Sequence, residues 1–219
     1  MTLVIRKIRT LFSNPVGVLR KYSRKVFIKL KGGIPPVFGE DYNLHWNFTS
    51  FKNKVVLDLG ADYGSTAYYF LQKGALKVIA VEGDPNLASK LKANSKRFQK
   101  IVPVELFIDN PEKIEKLISH HRPDLVKVDI EGYERLLLNV NNIADVNEWL
   151  IEAHTEELYD SIVKLLLSHG FSIRSFLNVN NLKIIHAYRQ CINCAKNSTS
   201  GFTANPKLST VKFIKQQKI

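Results

Sequence analysis

The sequence predicts a doubly wound α/β domain: a seven-stranded sheet, mostly parallel, closed by an antiparallel C-terminal hairpin. Two observations predict it. Short apolar runs bounded by Gly, Pro or Asp alternate with helical periodicity from Lys54 to Ser168, the pattern of βα units feeding a parallel sheet. The last two apolar runs, Phe171 to Phe176 and Leu182 to Tyr188, are separated only by an Asn-rich loop holding Asn178, Asn180 and Asn181. That loop is too short for a parallel crossover, so the pair must be antiparallel.

Lys54-Val-Val-Leu-Asp-Leu59 reads as a buried strand ending at Gly60, and Ser65 to Lys73 as a helix stopped at Gly74. Val78 to Val81 is the second strand, and a helix resumes from Asn86 to Phe98 after the Asp84-Pro85 turn. Ile101 to Phe107 is the third strand, with Pro103 tolerable at an edge. Pro111 opens a helix reaching about His120. Asp124 to Val128 is the fourth strand, Tyr133 to Val140 a helix, Glu148 to Ala153 the fifth strand, and Glu156 to Ser168 a helix closed by Gly170. The hairpin supplies the last two strands, and the order is that of a Rossmann-like fold.

With 219 residues, 45% hydrophobic and 24% charged, the chain is neither wholly disordered nor collagen-like. No apolar run reaches the ~18–20 residues of a membrane-spanning helix. The two cysteines do not make a disulfide framework, and the N-terminus lacks the long apolar segment of a secretory signal. These features predict a cytoplasmic protein. The net charge is +12, yet all 20 carboxylates lie between Glu40 and Asp160. Nine Lys or Arg precede Glu40, from Arg6 to Lys31, and nine follow Asp160. Three parts are expected: a basic amphipathic extension over 1–39, the domain over 40–190, and a loosely ordered basic tail over 191–219. The basic ends suit an anionic surface, either membrane or nucleic acid. Oligomeric state is not written in the sequence.

The sharpest local signal is Val55-Val-Leu-Asp-Leu-Gly-Ala-Asp-Tyr-Gly64. Its Gly60 and Gly64 stand at a strand-to-helix turn, where missing side chains let a ligand approach the backbone. The spacing is not the G-x-G-x-x-G of nicotinamide folds, and no G-K-[ST] follows for a phosphate loop. Asp58 is placed at the strand end to accept from an ammonium group. The N–H groups of Asp62 to Ser65 suit a carboxylate. Glu82, twenty-two residues after Gly60, stands where a carboxylate takes both ribose hydroxyls. An amino acid joined to a ribose points to S-adenosylmethionine (SAM). The expected cofactor contacts are Asp58, Gly60, Ala61, Asp62, Tyr63, Gly64, Glu82, Gly83 and Asp129, with Asp109 on the adenine amino group.

Three blocks carry a wider likeness: Leu57 to Gly64 with Val81-Glu-Gly-Asp-Pro85; Asp124-Leu-Val-Lys-Val-Asp-Ile-Glu-Gly-Tyr-Glu134; and Leu150-Ile-Glu-Ala-His154. With them the sequence resembles the class I methyltransferases, and more narrowly the FkbM-type family. That resemblance implies SAM-dependent O-methylation, often of a sugar or polyketide hydroxyl. Asp62 and Tyr63 depart from the Asn and smaller residue common in that family's loop.

Asp129 and Glu131 leave the fourth strand and Glu152 and His154 the fifth, at the end of the sheet where such folds bind ligands. A hydroxyl acceptor must lose a proton, and His154 is the first choice of base, Asp129 or Glu131 the second. Lys127 is expected to pair with a nearby carboxylate such as Glu152 and to hold the acid cluster in place. The same groups are hard-metal ligands, but Lys127 would compete for the carboxylates, so no metal is assigned. His45 and Trp46 are expected to roof the site. The acceptor expected is a small molecule or glycan. The alternatives are an RNA or DNA methyltransferase held by the basic ends and a SAM-binding protein without turnover. Cys191-x-x-Cys194, His120-His121 and the sequons at Asn47 and Asn197 carry no assignment.

Overall fold

A computed structural model describes residues 42–177, 183–189 and 212–214. The expected amphipathic extension, the cysteine pair and most of the tail lie outside the described residues.

A short helix α1 (Tyr42–His45) precedes β1 (Val55–Leu59), α2 (Ser65–Gln72), β2 (Lys77–Glu82), α3 (Pro85–Ser95), β3 (Ile101–Glu105), α4 (Pro111–His121) and β4 (Leu125–Val128). Then come β5 (Glu148–Ala153), α5 (Glu156–Ser168), β6 (Ser172–Leu177) and β7 (Lys183–Tyr188). The seven strands lie in the order β3-β2-β1-β4-β5-β7-β6. The first five are parallel, and β7 runs antiparallel to both β5 and β6. A three-residue strand β8 (Lys212–Ile214) joins β6 in parallel at the edge, so part of the tail expected to be loose completes the sheet.

Helix starts follow the local chemistry. Asp84 accepts from the N–H groups of Asn86 and Leu87, and Pro85 opens α3. Asn110 and Pro111 do the same for α4, and Thr155 caps α5. Pro103 stands in β3, which among the described residues pairs with β2 alone, an edge position where a missing donor is tolerated.

One element differs in kind. Between β4 and β5 the helix expected over 133–140 is of the 3₁₀ kind, Glu134–Asn139, followed by a second over Ile143–Asp145. The buried residues of the first segment are Glu134, Leu137 and Val140, spaced by three, which matches the eclipsed repeat of a 3₁₀ turn and not the 3.6 repeat of an α-helix.

The core lies on both faces of the parallel strands, and every residue of β4 and β5 is buried. The sheet order reverses between β1 and β4. At such a switch point the loops leaving neighbouring strands diverge and open a crevice. Among the described residues, no helix is long and apolar enough to cross a membrane.

Candidate active site

The glycine loop is built by close backbone approach. At Gly60 φ is +79°, and a Cβ placed there would stand 1.7 Å from the carbonyl oxygen of Asp129. The missing side chain therefore makes room for the chain leaving β4. The N–H groups of Gly60 and Ala61 both donate to the Val81 carbonyl, at 3.0 Å each. Glu82 finishes the tie: one carboxylate oxygen accepts from Asp62 N and the other from Asp84 N, both at 2.8 Å. Gly64, at φ +96°, turns the loop into α2. Ala61 is buried, and the Tyr63 carbonyl accepts from Asn94 Nδ2 at 2.9 Å.

Asp58 is placed otherwise than expected. It is fully buried, so it has no surface to offer an ammonium group. Its Oδ2 accepts from Thr66 Oγ1 at 2.6 Å, and its Oδ1 lies 3.3 Å from Lys127 Nζ. The sheet register sets Asp58 directly opposite Lys127. Lys127, also fully buried, lies 3.4 Å from Asp129 Oδ2, donates to the Gly60 carbonyl at 2.7 Å, and sits 5.4 Å from the centre of the Trp46 ring. Burial opposes its charge, but Asp58 and Asp129 outweigh burial and hold its pKa above the ordinary lysine value. Its ion-pair partners are thus Asp58 and Asp129, and not Glu152. His45 and Trp46 are both buried, with the Trp46 ring over Lys127 and His45 against Trp46.

Beyond β4 the chain turns through two residues of positive φ, Glu131 at +51° and Gly132 at +95°. Glu134, fully buried, folds back and accepts from Ile130 N at 3.0 Å and Gly132 N at 3.0 Å. The same carboxylate lies 3.2 Å from His154 Nδ1, and the exposed Glu131 lies 3.6 Å from His154 Nε2. Glu134 was not singled out as a site residue; the signal was an acid placed four residues after Ile130, just past a glycine. Glu152 and His154 alternate along the end of β5 onto one side. Asp129, Glu152 and His154 each place one ligand-type atom within 4.8 Å of the others.

Glu152 is 7% exposed. Burial and the nearby Asp129 carboxylate push its pKa up from 4.5 to about 7. The sign for stability follows. The folded state prefers the protonated acid, so stability falls as the pH rises through the window from 4.5 to about 7. Glu152→Gln, unfolded by urea with a chelator present, is expected to flatten that window. At pH 8 it should be the more stable protein by about 1–3 kcal/mol; equal pH slopes in both proteins would refute the assignment.

Two cofactor expectations fall at the rim. The Phe107 ring packs on Gly83, where a Cβ would meet it at 2.8 Å, and stacks edge-on with Tyr133 at 5.2 Å. Asp109, expected on an adenine, is turned to α4: it lies 2.8 Å from Lys113 Nζ and accepts from Asn110 Nδ2. The Lys113 hydrogen bond holds its carboxyl below the ordinary range.

Comparison with known proteins agrees with this architecture. Uncharacterized protein 158B of Sulfolobus islandicus rod-shaped virus 1 is 29% identical over 133 residues, 58% of this chain and 79% of that protein. The histone-arginine methyltransferase CARMER of Anopheles gambiae is 35% identical over 78 residues, 33% of this chain and 12% of that far longer protein. Among solved structures, Aeropyrum pernix fibrillarin, in complex with natively bound S-adenosyl-L-methionine, superposes with a TM-score of 0.50. That match is 16% identical and covers 73% of this chain and 74% of fibrillarin, a likeness of fold. The segment that builds α4, β4, β5 and α5, residues 108–173, matches the family model described as the methyltransferase FkbM domain.

Proposed function

We propose that the chain is a SAM-dependent methyltransferase that methylates a hydroxyl of a small molecule or glycan. One observation carries the reading. The Glu82-anchored loop over 60–64 and the Asp129, Glu152 and His154 cluster meet at the ends of β1, β4 and β5, on either side of the switch point.

The residues suit the cofactor. Each Glu82 oxygen accepts one N–H and keeps a lone pair for a ribose hydroxyl. The exposed Glu131 and the partly exposed Asp129 put carboxylates at the mouth, a surface that favours a sulfonium cation over phosphate. The cofactor, when bound, supplies an electrophilic methyl group. The chain's own part is to align the acceptor and to promote loss of its proton at the cluster, where His154 reaches the rim. Alignment is worth several kcal/mol and proton removal about 10²- to 10⁴-fold. The acid mouth argues against nucleic acid as the acceptor, although the basic ends would hold it.

Incubation with methyl-labelled SAM and a cell extract tests the reading. Label in a small-molecule or glycan fraction supports it, and label in RNA or DNA overturns the acceptor class. Glu82→Gln keeps the shape but removes the charge and one acceptor, so SAM affinity by calorimetry is expected to fall about 10- to 100-fold. His154→Ala should leave SAM affinity near wild type while turnover drops about 10²-fold or more. Loss of SAM binding in His154→Ala would remove that residue from the acceptor side.

A further inference from the structure

We propose that Asp129, Glu152 and His154 form a binding site for a divalent cation of the Mn2+ or Mg2+ class, an inference that rests on the methyltransferase reading and names how its acceptor side works. Two carboxylates and an imidazole are a donor set for such a cation. They come from the ends of two adjacent parallel strands, with one ligand-type atom each inside 4.8 Å.

Two further observations point to a ligand. Glu152 is 7% exposed, and its carboxylate has no hydrogen-bond or ion-pair partner among the described residues, yet it is aimed into the group. A buried carboxylate without a partner is costly, and a cation would offset that cost. His154 lies between two carboxylates, its Nδ1 3.2 Å from the buried Glu134 and its Nε2 3.6 Å from Glu131, and its buried Nδ1 has no hydrogen-bond partner among the described residues. The competitor expected from the sequence is engaged elsewhere, since Lys127 lies against Asp58 and Asp129 and makes no ion pair with Glu152. A hydroxyl oxygen drawn to a cation here would lose its proton to water more readily. Its lone pair would then form the new O–CH3 bond while the breaking S–CH3 pair stays on sulfur.

The test uses the full chain, stripped with chelator and desalted, titrated with Mn2+ while free Mn2+ is followed by electron paramagnetic resonance. One saturable Mn2+ per chain is expected. Glu152→Gln, which removes a buried charge and should fold, is expected to bind at least about tenfold more weakly. His120→Ala, far from the cluster in sequence, should bind as wild type. Absence of a saturable site, or equal affinity in Glu152→Gln, overturns the proposal; if circular dichroism shows that variant unfolded, Asp129→Asn is read by the same criterion. A SAM titration of the same preparations separates the two readings. SAM binding without a Mn2+ site leaves the methyltransferase standing and removes the cation. A Mn2+ site without SAM binding does the reverse.

Discussion

Gly60→Ala is expected to give no folded protein, or one destabilised by more than about 4 kcal/mol. A left-handed backbone costs an L-residue about 1–2 kcal/mol. The larger part is steric: the new Cβ would lie 1.7 Å from the Asp129 carbonyl oxygen and 2.8 Å from its carbon, both backbone atoms. Neither chain can retreat easily. Gly60 N is bonded to the Val81 carbonyl, and Asp129 N donates to the Leu59 carbonyl at 3.1 Å. Any accommodation would shift Asp129 and with it the acid cluster, so surviving protein should also lose SAM and Mn2+ binding. Gly132→Ala is the control. Its φ is also positive, but a Cβ there meets nothing within 4 Å, so only the conformational cost of about 1–2 kcal/mol applies. Urea unfolding of the two variants side by side measures the difference. Equal losses would mean that the Asp129 approach does not limit this position.

That contrast also shows what one sequence can and cannot reveal. Strand and helix boundaries were legible wherever periodicity met a punctuating residue. Glu148–Ala153 and Glu156–Ser168 were read residue for residue, and Asp84-Pro85 marked the start of α3. The convergence of Asp129, Glu152 and His154 was legible too, because parallel strands deliver their ends to one edge. What failed depended on register. That Asp58 faces Lys127 across the ladder, while Lys127 pairs with Leu150 on its other side, is set by how β4 slides between β1 and β5. That offset cannot be read from either strand alone, so the sequence offered Glu152 as the example of a carboxylate near Lys127 and did not show that Asp58 faces it. The kind of helix over 134–139 was not legible for a different reason. Leu136, Leu137 and Leu138 suit any helix, and only the burial of every third residue distinguishes 3₁₀ from α. The Asp109–Lys113 pair was missed, since Asp109 was expected on an adenine, although its i,i+4 spacing was a signal for it.

The second large effect is at Lys127. Lys127→Met is expected to cost about 3–5 kcal/mol, because Asp58 would be left fully buried without its cation and must either stay charged or take up a proton. Asp58→Asn should cost a similar amount by stranding the ammonium, although Asp129 at 3.4 Å retains part of its compensation. If the two groups stabilise the fold chiefly by cancelling each other, the double variant Asp58→Asn/Lys127→Met should be far more stable than the sum of the single losses predicts. A coupling of about 2 kcal/mol or more in a double-mutant cycle is the expected result. The pair also reaches the cofactor loop, since Lys127 donates to the Gly60 carbonyl and Asp58 accepts from Thr66 at the start of α2. A refolded double variant should therefore bind SAM more weakly than wild type even where its stability recovers. Additive losses together with unchanged SAM affinity would show that the buried pair neither balances its charges nor holds the loop, and that burial of the surrounding strands alone fixes both.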